Sequence, residues 1–346
     1  MIKPKRLKKG DTVAIVSLSS GMAGDDIFKH RYELGKERLE KVFGLKVITM
    51  PNALKGSDYI YNHPESRAKD LMDAFKDKNI SGIICNIGGA DTIRLLPYID
   101  YNVIKNNPKV FMGYSDTTVN HFMIYKAGVE SFYGPSVMCE FAENNHMHPY
   151  TKKYINEVLF KNKENIEIKS SDKWTCEYLD WGVKENDSIE RKMKKEKHGF
   201  EIIQGSGVVS GELLGGCFDV FPMMVGTEIW PSKDEWKNKI LFLETSEDEP
   251  SPDFIEIYLR NLIATGVIDS VSAIIIGKPN NEQYYDEYKE IFKRVISVEA
   301  KKPNLPIIYN LNFGHTAPMC ILPLGLKVKI DLDNKKIVFE EKPMED

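Results

Sequence analysis

Val110-Phe111-Met112-Gly113-Tyr114-Ser115-Asp116-Thr117-Thr118 is an apolar run that stops at a glycine and passes within two residues into a helix-compatible stretch. A strand that turns sharply into a helix is the repeating step of an α/β fold. Such a turn holds a hydroxyl clear of the sheet and aims the next backbone N–H at whatever the hydroxyl attacks. Ser115 has two readings at this point: an activated serine, or part of a Ser/Asp helix N-cap.

Working outward, buried-type runs recur at 12–18, 46–50, 80–86 and 109–112, with helical patterns between them at 26–42 and 64–78. Pro64 suits the first turn of the second helix. Strands that alternate with helices pair in parallel through right-handed crossovers, so residues 1–165 are expected to form a layered α/β domain with a mainly parallel sheet. From 166 to 206 the pattern dissolves, and ten of the sixteen residues from Val183 to His198 are charged. This stretch is a solvated loop or, given Trp174, Tyr178 and Trp181 around it, a lid or binding element. A second domain, 207–346, is expected to hold strands at 239–244, 271–276 and 305–310 and helices at 252–265 and 285–298. A hairpin of 326–330 with 336–340 turns through Asp333-Asn334.

The bulk composition excludes several classes. A chain of 346 residues with 42% hydrophobic and 28% charged residues and a net charge of −4 is an ordinary globular protein with no nucleic-acid footprint. No run approaches transmembrane length. Lys3 to Lys9 is basic, but the apolar stretch after it is too short for a signal h-region, so a cytoplasmic protein is expected. Cys85, Cys139, Cys176, Cys217 and Cys320 are odd in number and widely spaced, which reads as free thiols and neither a disulfide framework nor a zinc cage. His146-Met147-His148 lacks a spaced third ligand and reads as a turn before Pro149.

A serine nucleophile needs a base, and the base needs an orienting acceptor. Of the seven histidines, only His315 follows closely on an apolar strand; among the carboxylates, Glu244 ends the strand Lys239-Ile240-Leu241-Phe242-Leu243-Glu244. Ser115, Glu244 and His315 thus all lie at or just past strand C-termini, where open α/β sheets place their ligands. Polar residues end many strands, so spacing alone leaves coincidence open. Ile83-Ile84-Cys85-Asn86-Ile87-Gly88-Gly89-Ala90 runs from a buried strand into a glycine turn, which is either an oxyanion donor or a tight turn without a ligand. Glu247, Asp248 and Glu249 form an acidic cluster that solvated loop charges explain as well as catalysis does.

Together these segments resemble the serine peptidase family of murein LD-carboxypeptidases and microcin C immunity carboxypeptidases. Leu7 to Val16 resembles the family's first strand, Gly88-Gly89 its oxyanion turn and Gly113-Tyr114-Ser115-Asp116 its nucleophile elbow. Gly211 to Cys217 resembles the opening of its second domain, Leu243-Glu244 its acid strand and Phe313-Gly314-His315-Thr316 its histidine loop. The resemblance implies a Ser115–Glu244–His315 triad with the Gly89 and Asp116 N–H groups as oxyanion donors. It also implies a cleft between the α/β domain and a smaller, β-rich α+β C-terminal domain, and a homodimer.

The elbow lacks the second glycine of Gly-x-Ser-x-Gly, which separates it from ordinary α/β-hydrolases. Ile87-Gly88-Gly89-Ala90 and the Trp-bearing segment look closer to the microcin immunity branch. Gly88, Ala90, Trp174 and Trp181 are then candidate substrate contacts, with the tryptophans either stacking on a nucleobase or packing under a loop. The expected reaction is hydrolysis of an amide in a small peptide or peptidyl nucleotide through an acyl-enzyme, with no metal or organic cofactor required and no membrane or nucleic-acid partner. A murein tetrapeptide LD-carboxypeptidase and a non-catalytic ligand-binding module are the competing readings.

Overall fold

The computed structural model describes residues 1–346. Its strands in chain order begin with β1 (Thr12–Val16), β2 (Lys46–Thr49), β3 (Ile80–Cys85), β4 (Val110–Gly113) and β5 (Ser131–Tyr133). Then come β6 (Glu167–Ile168), β7 (Lys173–Trp174), β8 (Lys194–Lys195), β9 (Glu201–Gln204), β10 (Val208–Cys217) and β11 (Lys239–Glu244). The chain ends with β12 (Ala273–Gly277), β13 (Ile307–Leu311), β14 (Leu322–Leu324), β15 (Lys327–Asp331) and β16 (Lys336–Phe339).

The first sheet has the order β14-β5-β4-β3-β1-β2. Its neighbours from β5 to β2 are all parallel, and β14 closes the edge antiparallel to β5. The central strands are almost wholly buried. Helices cover both faces of such a sheet, which is why these strands read as continuous apolar runs instead of alternating ones. The helices Lys29–Lys41, Pro64–Lys76, Tyr101–Asn106 and Thr118–Lys126 make the connections. Thr118–Lys126 is buried on nearly every side, so it shows no polar stripe.

The second sheet is wider, with the order β6-β16-β15-β10-β11-β12-β13-β9. Strands β10 to β13 run parallel at its centre, and antiparallel strands flank them on both sides. The helix Pro252–Ala264, capped by the Ser251 hydroxyl on the Phe254 N–H, joins β11 to β12, and Tyr285–Arg294 joins β12 to β13.

The chain crosses between the sheets. β14, near the C-terminal end, completes the first sheet, while β6 and β9 from the 166–206 segment form the two edges of the second. That segment is therefore not a simple loop: besides β6 to β9 it holds a short helical turn at Lys184–Ser188. Two-residue strands such as β6 and β7 leave no periodicity to read.

Candidate active site

The elbow places Ser115 at φ +63°, a left-handed backbone conformation that a side-chain-bearing residue adopts only where its surroundings impose it. Those surroundings are identifiable. The Ser115 N–H donates to the Tyr133 hydroxyl at 3.1 Å, and the Ser115 carbonyl accepts from the Thr118 hydroxyl at 2.7 Å. That hydroxyl also accepts from the Cys217 N–H at 3.0 Å, which ties the turn to the end of β10.

The helix-cap reading of this stretch does not hold. Neither the Ser115 turn nor the helix Thr118–Lys126 has a side-chain cap. The Asp116 carboxylate turns inward, accepting from the Ser19 hydroxyl at 2.5 Å and from the Thr92 N–H and hydroxyl at 2.9 and 2.6 Å. These bonds bind the loops on both sides of the glycine turn to the elbow.

Gly88 sits directly against the serine: a Cβ there would lie 2.7 Å from the Ser115 Cβ and 2.9 Å from its Oγ. Only glycine permits this approach. Gly89 follows at φ +152° on the exposed side of the turn, and its N–H donates to no protein acceptor. Ala90 is exposed and does not line the cleft.

Glu244 and His315 meet across 71 positions of sequence, with Nδ1 2.7 Å from the carboxylate Oε2. Both side chains are nearly inaccessible to solvent. The other oxygen, Oε1, accepts from the Tyr133 hydroxyl, so one buried tyrosine touches both the Ser115 backbone and the acid. The Tyr114 ring packs edge-on against the imidazole with centroids 5.0 Å apart.

Nε2 of His315 is occupied by Glu247, whose Oε2 lies 3.0 Å away, and Ser115 makes no hydrogen bond to the ring. Burial works against a charged imidazole, but Glu244 and then Glu247 outweigh it and raise the His315 pKa well above the ordinary histidine value. His315 in turn holds the Glu247 carboxyl well below the usual range. His121 is the contrasting case: buried in the core against Ser131 and the Gly113 carbonyl, it is pushed down to about 4 and stays neutral.

Cys217, Glu244 and His315 offer donor atoms within 4.8 Å of one another. Within the trio, Glu244 Oε2 and His315 Nδ1 are bonded to each other.

A cleft of about 590 Å³ opens over these groups. Ser115, His315, Gly88, Gly89 and Glu247 line it, together with Arg31, Tyr178, Trp181 and Arg191. Trp181 is half-buried beneath the Arg31 guanidinium, 4.7 Å from the ring centroid. Trp174 does not line the cleft. It is 2% exposed, with the Lys278 and Lys194 ammonium groups 4.4 and 4.6 Å from its ring centroid, so its faces serve the packing of this segment and not a ligand.

The charged stretch 183–198 is clamped down by specific partners. Arg191 forks onto Glu143, and Asp187 takes both His30 and Arg31. Glu196 reaches the fully buried Lys278 ammonium at 3.1 Å.

Sequence reasoning missed Tyr133, in a strand too short to recognise, and assigned no role to Glu247 or to the Asp116 side chain. Glu247 stood in view within the acidic cluster beside Glu244, but no pattern distinguishes one loop carboxylate from its neighbours.

Two family models match the chain, the LD-carboxypeptidase N-terminal domain over residues 13–134 and the LD-carboxypeptidase C-terminal domain over 210–330. The chain belongs to the LD-carboxypeptidase family. This LD-carboxypeptidase family member is 31% identical over 97% of its length, and 94% of the relative's, to the microcin C7 self-immunity protein MccF of Escherichia coli. Among solved structures, an MccF-like protein from Streptococcus pneumoniae in complex with AMP superposes with a TM-score of 0.88 at 37% identity, covering 96% of this chain and 99% of that one. MccF in complex with glutamyl sulfamoyl guanosine superposes with a TM-score of 0.85 at 29% identity over 99% of this chain and 100% of that one. The two-domain α/β architecture is shared, and the family places the chain among carboxypeptidase-type hydrolases.

Proposed function

We propose that this chain is a serine carboxypeptidase that hydrolyses the amide of a peptidyl or aminoacyl nucleotide through an acyl-enzyme. The observation that carries the reading is the Glu244–His315 pair, 2.7 Å apart, beside a serine at φ +63° beneath a glycine turn. As Ser115 Oγ bonds to the carbonyl carbon, its proton passes to His315 Nε2. Glu244 holds the ring so that Nε2 faces the substrate and stabilises the imidazolium that forms. The oxyanion takes the N–H groups of Gly89 and Asp116, each worth on the order of 3 kcal/mol when aimed at that oxygen. The imidazolium then protonates the departing nitrogen, the C–N bond breaks, and water releases the acyl group by the reverse exchange of protons.

The nucleotide side of the substrate is supported by the relatives whose structures hold AMP and glutamyl sulfamoyl guanosine. Trp181 and the exposed Tyr178 are the aromatic faces offered to a base. The chain is read as three functional parts, 1–165, 166–206 and 207–346, working in the cytoplasm as a homodimer. Five free cysteines suit a reducing compartment. Light scattering during gel filtration measures the dimer.

The deciding experiment offers the protein a murein tetrapeptide and an aspartyl-adenylate amide and identifies the products by mass. Faster release of aspartate from the nucleotide supports this reading, and faster cleavage of the tetrapeptide transfers it to cell-wall recycling. If neither is cut and a fluorophosphonate fails to label Ser115, the chain is a binding module.

A further inference from the structure

Glu247 holds the position that Ser115 needs. Its Oε2 lies 3.0 Å from His315 Nε2, the nitrogen that must receive the serine proton. The loop that carries it is anchored: the Asp219 carboxylate accepts from the Ser246 N–H at 3.1 Å and from the Ser246 hydroxyl. The Glu247 side chain itself is 68% exposed while the imidazole is 7% exposed, so the carboxylate can swing away and the ring cannot follow. A substrate that reaches Ser115 must therefore draw Glu247 off the ring.

The charge of the cleft indicates what can do so. Glu140, Glu143, Glu177 and Glu247 line it against Arg31 and Arg191. Arg191 is already committed to Glu143 and Arg31 to Asp187, so the guanidiniums are neutralised and carboxylate remains in excess. A further anion next to Nε2 would meet Glu247 unpaired, whereas a cation would replace the imidazolium as its partner.

We propose that Glu247 is a specificity-determining residue that binds an ammonium on the acyl side of the scissile amide, the free α-amino group of an aminoacyl substrate, and in doing so frees Nε2 for Ser115. This rests on the acyl-transfer reading above. In that chemistry Nε2 lies beside the carbonyl carbon under attack, and the α-ammonium nitrogen is two bonds from that carbon. A carboxylate 3.0 Å from Nε2 reaches it by rotating its own side chain. The exchange moves one ion pair: the imidazolium–Glu247 contact gives way to an ammonium–Glu247 contact, and the Nε2 proton returns to solvent before Ser115 is activated.

The test uses two alanyl phosphoramidates of adenosine, one with a free α-amine and one N-acetylated, with the wild-type chain, E247Q and E247D. The wild type is expected to favour the free amine in kcat/KM by about tenfold or more, the order expected of a hydrogen bond to a charged group. E247Q should bring the ratio close to one, and E247D, which retains the charge, should restore most of it. Equal kcat/KM for both substrates in the wild type, or an unchanged ratio in E247Q, overturns the proposal. Failure to turn over the free-amine substrate also overturns it, and fluorophosphonate labelling then separates the cases: labelled Ser115 leaves the serine mechanism standing, and unlabelled Ser115 removes both.

Discussion

A serine at φ +63°, touched by glycine on one side and bonded through its backbone to a buried tyrosine on the other, is held in place at a cost in backbone strain. Ser115→Ala and His315→Ala are each expected to lower kcat by about four orders of magnitude or more and to leave the circular dichroism spectrum intact. Near-normal turnover in either would remove the triad. Tyr133→Phe takes the hydroxyl from both Glu244 and the Ser115 N–H, and the loss of a buried bond to a charged group should cost about 2 kcal/mol in urea unfolding.

The pH profile follows from His315. In the free enzyme kcat/KM needs the neutral imidazole, so its acid limb lies above the ordinary histidine range, near 6.5, and activity falls as pH drops through the raised pKa. The groups facing the ring are Glu244 at the end of β11, Cys217 at the end of β10, Asp219 in the helical turn after β10, Glu247 in the loop after β11, and the Tyr114 ring. Glu247→Gln removes one carboxylate and should move the limb to lower pH; a limb that stays put means that Glu247 does not hold Nε2 in solution. Stability has the opposite sign. The ion pairs of the imidazolium contribute fully below the unfolded pKa and are lost as pH rises through the raised folded one. At this scale the residue types of the proposed triad stand at strand ends, where the sequence shows them, but the Tyr133 bridge was not legible, since it joins positions 111 apart.

Among the elements, legibility followed length and apolarity. The central strands β1, β3, β4 and β11 and the helices Pro64–Lys76 and Pro252–Ala264 fall where apolar runs and capping residues predict them, with ends shifted by only a few residues. The glycine-rich β10 and the three-residue β5 and β14 have too little apolar pattern of their own, and neighbouring strands make them strands. The 183–198 stretch is exposed along most of its length. Its charge run suggests solvation, yet Arg191, Asp187 and Glu196 are ion-pair partners of Glu143, Arg31 and Lys278. Arg191→Ala should therefore speed limited proteolysis within 183–198 several-fold, visible on a denaturing gel, because local opening and not global unfolding limits cleavage there. Cleavage at the wild-type rate would mean that the remaining pairs suffice.

Over the whole molecule, one apolar cluster of 93 buried residues runs through both sheets, and β14 lends a C-terminal strand to the N-terminal sheet. Such interlocking predicts a single calorimetric transition whose van't Hoff and calorimetric enthalpies agree; two resolved transitions would show that the sheets unfold independently. The sequence by itself determined the buried strands, the helices between them, a glycine turn and a strand-to-helix elbow, and the three strand ends that carry Ser115, Glu244 and His315. These are properties of short windows, where hydrophobic period and backbone preference act locally. Only the tertiary structure decided that Glu244 meets His315, that Tyr133 joins the acid to the elbow, that Trp174 packs away from the cleft and that Glu247 sits on Nε2. Those contacts depend on strand order and on the packing of one sheet against the other, and a pairing between residues 71 or 111 positions apart leaves no periodic trace in the chain.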